Sequence, residues 1–292
     1  MEERIMRKLH LADRTVLTER HAFIMGVVNA TPDSFYAESR RGVDEALRLI
    51  DEGADLLDVG GESTRPGASY ISEEDEISRI LPVIEGIRKH SSIPISVDTR
   101  KRSVMEAAYN AGADIVNDIS ALEDDEELGR FAADKRLPVI LMHKRGEPKT
   151  MQQHTSYPDP FSEVNAYLSE RTVYAELLGI SRGRIIIDPG IGFGKDTAAN
   201  IALISRCGWL CGGSFPVLMA LSRKNIIGEL TGEPVEKRLP GTLAANMLAV
   251  LSGASLLRVH DVAPCRNMLD VLKSCINSGV KIGQSTVFLG DI

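Results

Sequence analysis

The chain has 292 residues, of which 43% are hydrophobic, 26% charged and 5% aromatic, with a net charge of −7 at pH 7. This balance excludes a disordered or fibrous chain, and no apolar run reaches the ~18 residues of a membrane span. No basic run is long enough to track a nucleic-acid backbone, and the charged start from Met1 to His10 has no apolar leader, so a soluble, cytoplasmic protein is expected. The cysteines Cys207, Cys211, Cys265 and Cys275 form no CxxC pair and read as buried or half-buried free thiols.

Residues 1–22 come first, and Thr15-Val16-Leu17 within them suits a short hairpin. Strands are predicted at residues 23–29, 56–60, 95–98, 115–118, 139–143, 185–188, 217–222 and 256–260. These near-continuous Val, Ile and Leu runs suit parallel strands buried on both faces. Amphipathic helices are predicted between them, at 43–52, 72–89, 102–111, 125–135, 163–178, 198–210, 242–251 and 266–276. Ser72 with an acidic first turn marks one helix start, and Gly53 marks one helix end. Eight strand–helix pairs predict an α/β chain, a (β/α)8 TIM barrel over residues 23–278, with the N-terminal extension 1–22 and a tail 279–292. A doubly wound sheet is the alternative, but no GxGxxG follows the first strand.

Active sites of such barrels form at the C-terminal ends of the strands. There the sequence places Asn29, Asp58, Asp98, Asn117, His143, Asp188, Ser222 with Lys224, and Arg258 with His260. A single strand-end Asp is as easily a cap as a catalytic group, but eight polar strand ends converge on one mouth. Asp98, Asn117 and Asp188 suit a flat heterocycle with adjacent N–H and amino donors. Lys224, Arg258 and His260 follow strands seven and eight, where these barrels often bind phosphate. Asn29 offers a neutral oxygen to Mg²⁺, which leans on substrate phosphates. Two loops, 29–35 and 60–67, read either as surface turns or as lids, with Gly60-Gly61 as a hinge.

The segments NATPDSF, DVGGESTRPGA, VDT, NDIS, LMH, DPGIGFGK, SRK and RVHD, in this order over residues 23–262, resemble the dihydropteroate synthase family. The resemblance implies a TIM-barrel enzyme of folate biosynthesis. Such an enzyme joins 6-hydroxymethyl-7,8-dihydropterin diphosphate to p-aminobenzoate and releases diphosphate. It implies that Asp98, Asn117, Asp188 and Lys224 hold the pterin, with Asp188 bidentate. Thr64, Arg65, Arg258 and His260 would hold the diphosphate, with Mg²⁺ bound through Asn29. Phe35, Pro66 and Phe193 would line the p-aminobenzoate slot, with Ser222 and Asn225 toward its carboxylate. The family has Ser where this chain has Asn225. It also differs at Tyr36 to Arg40 and at Lys144-Arg145. A homodimer is implied as well.

Loss of diphosphate leaves a cation that an electron-rich pterin can delocalise, so catalysis can be electrostatic and positional. Asp33, Asp98, Lys224, Arg258 and His260 are the expected catalytic groups, in an SN1-like transfer. Two other readings share the pterin carboxylates. One is a corrinoid-linked methyltransferase, which needs no diphosphate clamp; the other is a non-catalytic pterin-binding homologue.

Overall fold

The computed structural model describes residues 6–30, 35–65, 67–146, 149–153 and 155–278, with the backbone alone for 35–40 and 152. The hairpin comes first: β1 (Arg7–His10) pairs antiparallel with β2 (Thr15–Thr18). Eight parallel strands follow: β3 (Phe23–Asn29), β4 (Leu56–Gly60), β5 (Ile95–Asp98), β6 (Ile115–Asp118), β7 (Val139–Met142), β8 (Ile185–Asp188), β9 (Leu218–Met219) and β10 (Leu256–Val259). Their order is β8-β7-β6-β5-β4-β3-β10-β9. A parallel bridge from Ile187 to Val217 joins the two ends, and the Ile187 N–H donates to the Pro216 carbonyl at 3.0 Å. The barrel is closed.

The helices are α1 (Phe35–Asp51), α2 (Glu73–Arg88), α3 (Arg102–Asn110), α4 (Glu126–Lys135), α5 (Pro160–Leu177), α6 (Thr197–Arg206), α7 (Asn225–Thr231), α8 (Leu239–Leu251) and α9 (Val262–Asn277). Short acceptors start several of them: Ser72, Asp125, Asp159 and Asp196 each accept from a backbone N–H of the first turn. None of the described helices is long and apolar enough to cross a membrane.

Period-two alternation sorts the strand residues. One parity faces inward and forms an apolar floor of Phe23, Met25, Leu56, Ile115, Ile140, Ile186, Leu218 and Leu256, which the hairpin residues Leu9 and Leu11 cover from below. The other parity, including Ile24, Val28, Leu57, Val97 and Val116, packs outward beneath the helices.

Several elements depart from the sequence expectation; α5, α8 and α9 start at residues 160, 239 and 262 rather than at 163, 242 and 266. Helix α1 starts at Phe35 rather than at residue 43, because Ala37, Glu38, Arg40 and Arg41 are strong helix formers. The stretch that differs from the family is therefore helical. Helix α6 ends at Arg206, and a 3-10 segment (Cys207–Gly213) follows, with left-handed Cys211 and Gly212. Strand β9 has only two residues. Helix α7 begins at Asn225, where the family resemblance implies a helix N-terminus, although its seven residues carry too little periodicity to mark it. Among the cysteines, Cys207 and Cys265 are buried, but Cys275 is exposed, so one thiol departs from the expected burial.

Helices α1 and α2 interlock through glycines. A Cβ on Gly42 would lie 2.9 Å from a Val83 γ-methyl, and one on Gly86 would collide with a Val43 γ-methyl. An Ala normally gains ~0.5–1 kcal/mol over Gly within a helix. Here Val43, stiff at χ1, has nowhere to turn. Gly86→Ala is expected to destabilise the fold by about 1–3 kcal/mol; urea denaturation showing a gain in stability would refute this packing.

Candidate active site

The inward parity that builds the floor continues upward into polar residues. Leu56 is followed inward by Asp58, Ile115 by Asn117, Ile186 by Asp188, and Leu256 by Arg258 and His260. Their convergence thus follows from strand geometry.

Arg258 lies at the centre. Its Nε donates to Asp58 Oδ2 at 2.6 Å and its Nη2 to Asp98 Oδ2 at 2.9 Å. Asn117 Nδ2 lies 3.2 Å from both oxygens of Asp58. Burial alone would lower the Arg258 pKa, but the Asp58 and Asp98 carboxylates hold it above its ordinary value. Burial pushes Asp98 up to about 7, against the pull of Arg258 and with the push of Asp58. Asp58 was visible as a strand end but was not assigned to the site. It is 0% exposed and is the hub on which Arg258 and Asn117 meet. The neighbour of Asn117 in the NDIS segment, Asp118, is not part of this mouth; it accepts from Ser120 N, Ser120 Oγ and Leu122 N at 2.7 Å each and fixes the turn after β6.

Asp188 stands opposite. Its Oδ1 accepts from Gly190 N at 2.7 Å, and its pKa is raised, chiefly by burial, with Lys224 opposing. Lys224 Nζ donates to the Ile191 carbonyl at 2.5 Å and lies 5.0 Å from the Phe193 ring centroid. Burial brings Lys224 down to about 8 against the attraction of Asp188.

The loop after β8, which carries Gly190, Ile191 and Phe193, hangs from Lys195. Lys195 Nζ meets His143 Nδ1 at 2.8 Å and the carbonyls of Gly190, Phe193 and His143 at 2.9, 3.1 and 3.2 Å. Gly190 has φ +67, and a Cβ there would collide with the His143 carbonyl oxygen, so only glycine fits. Burial, then the charges of Lys195 and Arg145, bring His143 down to about 3. Burial also drives the Lys195 pKa well below its ordinary value, against the attraction of Asp188; the His143 ring and Lys195 Nζ together orient this loop.

On the far side, Ser222 Oγ accepts from His260 N at 3.2 Å and lies 3.0 Å from His260 Nδ1. The hydroxyl thus fixes both the backbone and the ring of His260, and the imidazole tautomer sets which of Oγ and Nδ1 donates. Burial, with Arg258 and Arg223, brings His260 down to about 4. At neutral pH it is an uncharged imidazole with one N–H to donate.

The remaining expected residues ring the mouth. Asn29 is exposed at the end of β3, beside Gly60. Thr64 is half-buried and Arg65 exposed on the loop after β4; Arg65 is near enough to act on His260. Phe193 is half-buried, and Asn225 Oδ1 accepts from Arg238 Nη1 at 3.2 Å. Asp33 and Pro66 lie outside the described residues, as does the Phe35 side chain. The basic pair that sets this chain apart is neutralised locally. Lys144 pairs with Asp124 at 3.2 Å, and Arg145 pairs with Glu163 at 2.7 Å while lying 3.5 Å from the Tyr157 ring centroid. Among the described residues no group of three or more His, Cys, Asp or Glu forms a metal cluster.

His143 and His260 bind protons more weakly folded than unfolded, where a histidine titrates near 6.5. Between that value and their depressed ones, the unfolded chain takes up protons that the folded chain refuses. Stability contributed by these groups is complete above about 6.5 and is lost on acidification toward 4 and 3. Urea midpoints measured across this range should fall with pH, and more shallowly in His143→Asn. An unchanged slope in the variant would remove His143 from the account.

A family model described as pterin binding enzyme matches residues 25–260. The dihydropteroate synthase of Escherichia coli (strain K12) is 40% identical over 272 residues, covering 91% of this chain and 96% of its own. The structure of Xanthomonas albilineans dihydropteroate synthase with 4-aminobenzoic acid matches with a TM-score of 0.86 at 45% identity, over 93% of this chain and 99% of that one. The same enzyme in complex with 7,8-dihydropteroate matches with a TM-score of 0.82 at 42% identity, over 92% and 98%. This chain belongs to the pterin-binding enzyme family, among its dihydropteroate synthases.

Proposed function

We infer that the chain condenses 6-hydroxymethyl-7,8-dihydropterin diphosphate with p-aminobenzoate to give 7,8-dihydropteroate and diphosphate. The observation that carries this is one mouth that joins the buried carboxylates Asp98 and Asp188 and the Asn117 amide to the cations Lys224, Arg258 and Arg65. Supplying both substrates and measuring dihydropteroate and released diphosphate tests it; no product would reject it.

The pterin lies flat on the floor of the site, its amino and ring N–H groups on Asp188 and its other edge toward Asp98 and Asn117. Arg258 has spent two of its five donors on Asp58 and Asp98, which leaves three for the diphosphate with Thr64, Arg65 and His260. The methylene C–O bond breaks with its electron pair leaving on diphosphate, and the buried carboxylates favour the resulting pterin cation. The arylamine nitrogen then forms the C–N bond and loses a proton to solvent or diphosphate. Its pair is free at neutral pH, so no strong base is required, which agrees with the neutral His143 and His260. The SN1-like order is our reading, with Asp33 as a further stabiliser of the cation.

We place p-aminobenzoate between Phe35, Pro66 and Phe193, its carboxylate toward Ser222 and Asn225. Mg²⁺ is assigned to Asn29 as a cofactor that arrives with the diphosphate. A single neutral amide suits a cation that takes most of its ligands from phosphate and water. Bound there, it would neutralise charge on the leaving group. A homodimer is supported by exposed Ile201 on α6 and Leu248 and Leu251 on α8, which packs against α6. The free thiols support a cytoplasmic setting.

Asp188→Asn should weaken a pterin lacking diphosphate by roughly ten- to a hundredfold. Gly190 N–H keeps the amide oxygen, so the new NH2 faces the pterin donors. Calorimetry showing unchanged affinity would move the bidentate role elsewhere. Lys224 loses its charge above about 8, so kcat/KM should fall on the alkaline side near that pH. In Lys224→Arg the guanidinium stays charged and this limb should move out of range; the same limb in both proteins would remove Lys224 as its source.

A further inference from the structure

The loop from Gly61 to Ile71 presents Thr64 and Arg65 and reads from sequence as a lid hinged at Gly60-Gly61. Its neck is built otherwise. Glu62 Oε1 accepts from Ile71 N at 2.7 Å, closing the loop across nine residues. Lys101 Nζ donates to Glu62 Oε1 at 3.0 Å, to the Ile71 carbonyl at 2.8 Å and to Glu76 Oε2 at 2.7 Å, so all three of its protons are used. Arg100 Nε reaches Glu62 Oε2 at 3.3 Å, its guanidinium stacks 3.6 Å from the Tyr70 ring centroid, and Arg79 Nη1 donates to the Gly61 carbonyl at 2.9 Å. A Cβ on Gly61 would lie 2.8 Å from Ile80 Cγ2 and 3.1 Å from the Glu76 carbonyl oxygen, so that glycine answers close packing against α2 and is no hinge.

Lys101, Glu62 and Glu76 are all buried, at 8, 9 and 1% exposure. A buried ion cluster of this kind is a poor source of stability, because desolvation offsets its attraction. It does fix geometry. Lys101 lies three residues beyond Asp98 on the same segment, so it ties the neck of the Thr64–Arg65 loop to the strand that carries a floor carboxylate.

We propose that Lys101, acting through Glu62 and the Ile71 carbonyl, is a positioning residue that holds Thr64 and Arg65 at the height of the diphosphate. The proposal rests on the reading that Thr64 and Arg65 bind diphosphate. Lys101→Met keeps the stem and removes the donors, while Lys101→Arg keeps a charged donor.

The test titrates Mg²⁺-diphosphate, and separately a pterin lacking diphosphate, into the wild-type chain, Lys101→Met, Lys101→Arg and Arg65→Ala. Lys101→Met should weaken diphosphate roughly tenfold or more while pterin affinity stays within about twofold, with partial recovery in Lys101→Arg. Equal weakening of both ligands would reveal a merely structural role and overturn the proposal. Loss of diphosphate binding in Arg65→Ala but not in Lys101→Met would overturn it too, with the underlying reading intact. No effect of Arg65→Ala would remove that reading and the proposal with it. Should Lys101→Met fail to fold, Glu62→Gln, which keeps the side-chain volume and an acceptor for Ile71, takes its place under the same criteria.

Discussion

A half-buried guanidinium held between two inward carboxylates is the constraint on which the rest depends. Asp58 is wholly inside the barrel and Asp98 nearly so, and an uncompensated carboxylate there would cost several kcal/mol. Arg258 offsets that cost by taking one oxygen from each, and Asn117 takes up the rest of Asp58. The arrangement leaves Asp98 close to neutrality, with burial and Asp58 pushing its proton affinity up. It also leaves Arg258 firmly charged with donors to spare. One side chain thus balances the floor of the site and faces the anion above it.

The two halves of the mouth are held by different means, and in both a lysine does the holding. On the β8 side, the loop is built from backbone. Gly190 approaches the end of β7 too closely for any side chain, and Lys195 gathers three carbonyls and the His143 ring. On the β4 side, Lys101 gathers two carboxylates and a carbonyl at the neck of the loop. A buried lysine nitrogen whose partners are all fixed has little freedom left, so each loop is referenced to a strand rather than to solvent. Dry surroundings strengthen those hydrogen bonds and would do the same for bonds to a ligand.

Below the polar layer, the hairpin and the apolar inner layer close the barrel floor. The opening therefore lies at the C-terminal ends of the strands, and the neutral histidines His143 and His260 act there through hydrogen bonds rather than charge.

Much of this was legible in the chain itself. The Val, Ile and Leu runs marked the parallel strands, and because strand side chains alternate with a period of two, the polar residue ending each run had to share a mouth with its neighbours. Asp98, Asn117, Asp188, Arg258 and His260 were readable on that ground, and Lys224 by its place on the loop after the seventh barrel strand. The bounds of the short elements were not: β9 is shorter than its apolar run, α7 is too brief for periodicity to mark, and α1 begins earlier than the family-like loop suggested. Nor was the division of labour among the charged groups. Asp58 and Arg258 stand 200 residues apart in sequence, and Lys101 and Lys195 look like any exposed lysine on a strand-end loop. Local sequence determines which way a side chain leaves its own strand. Only closure of the barrel decides which oxygen meets which donor across it, and therefore which charges are paired off and which remain for a ligand.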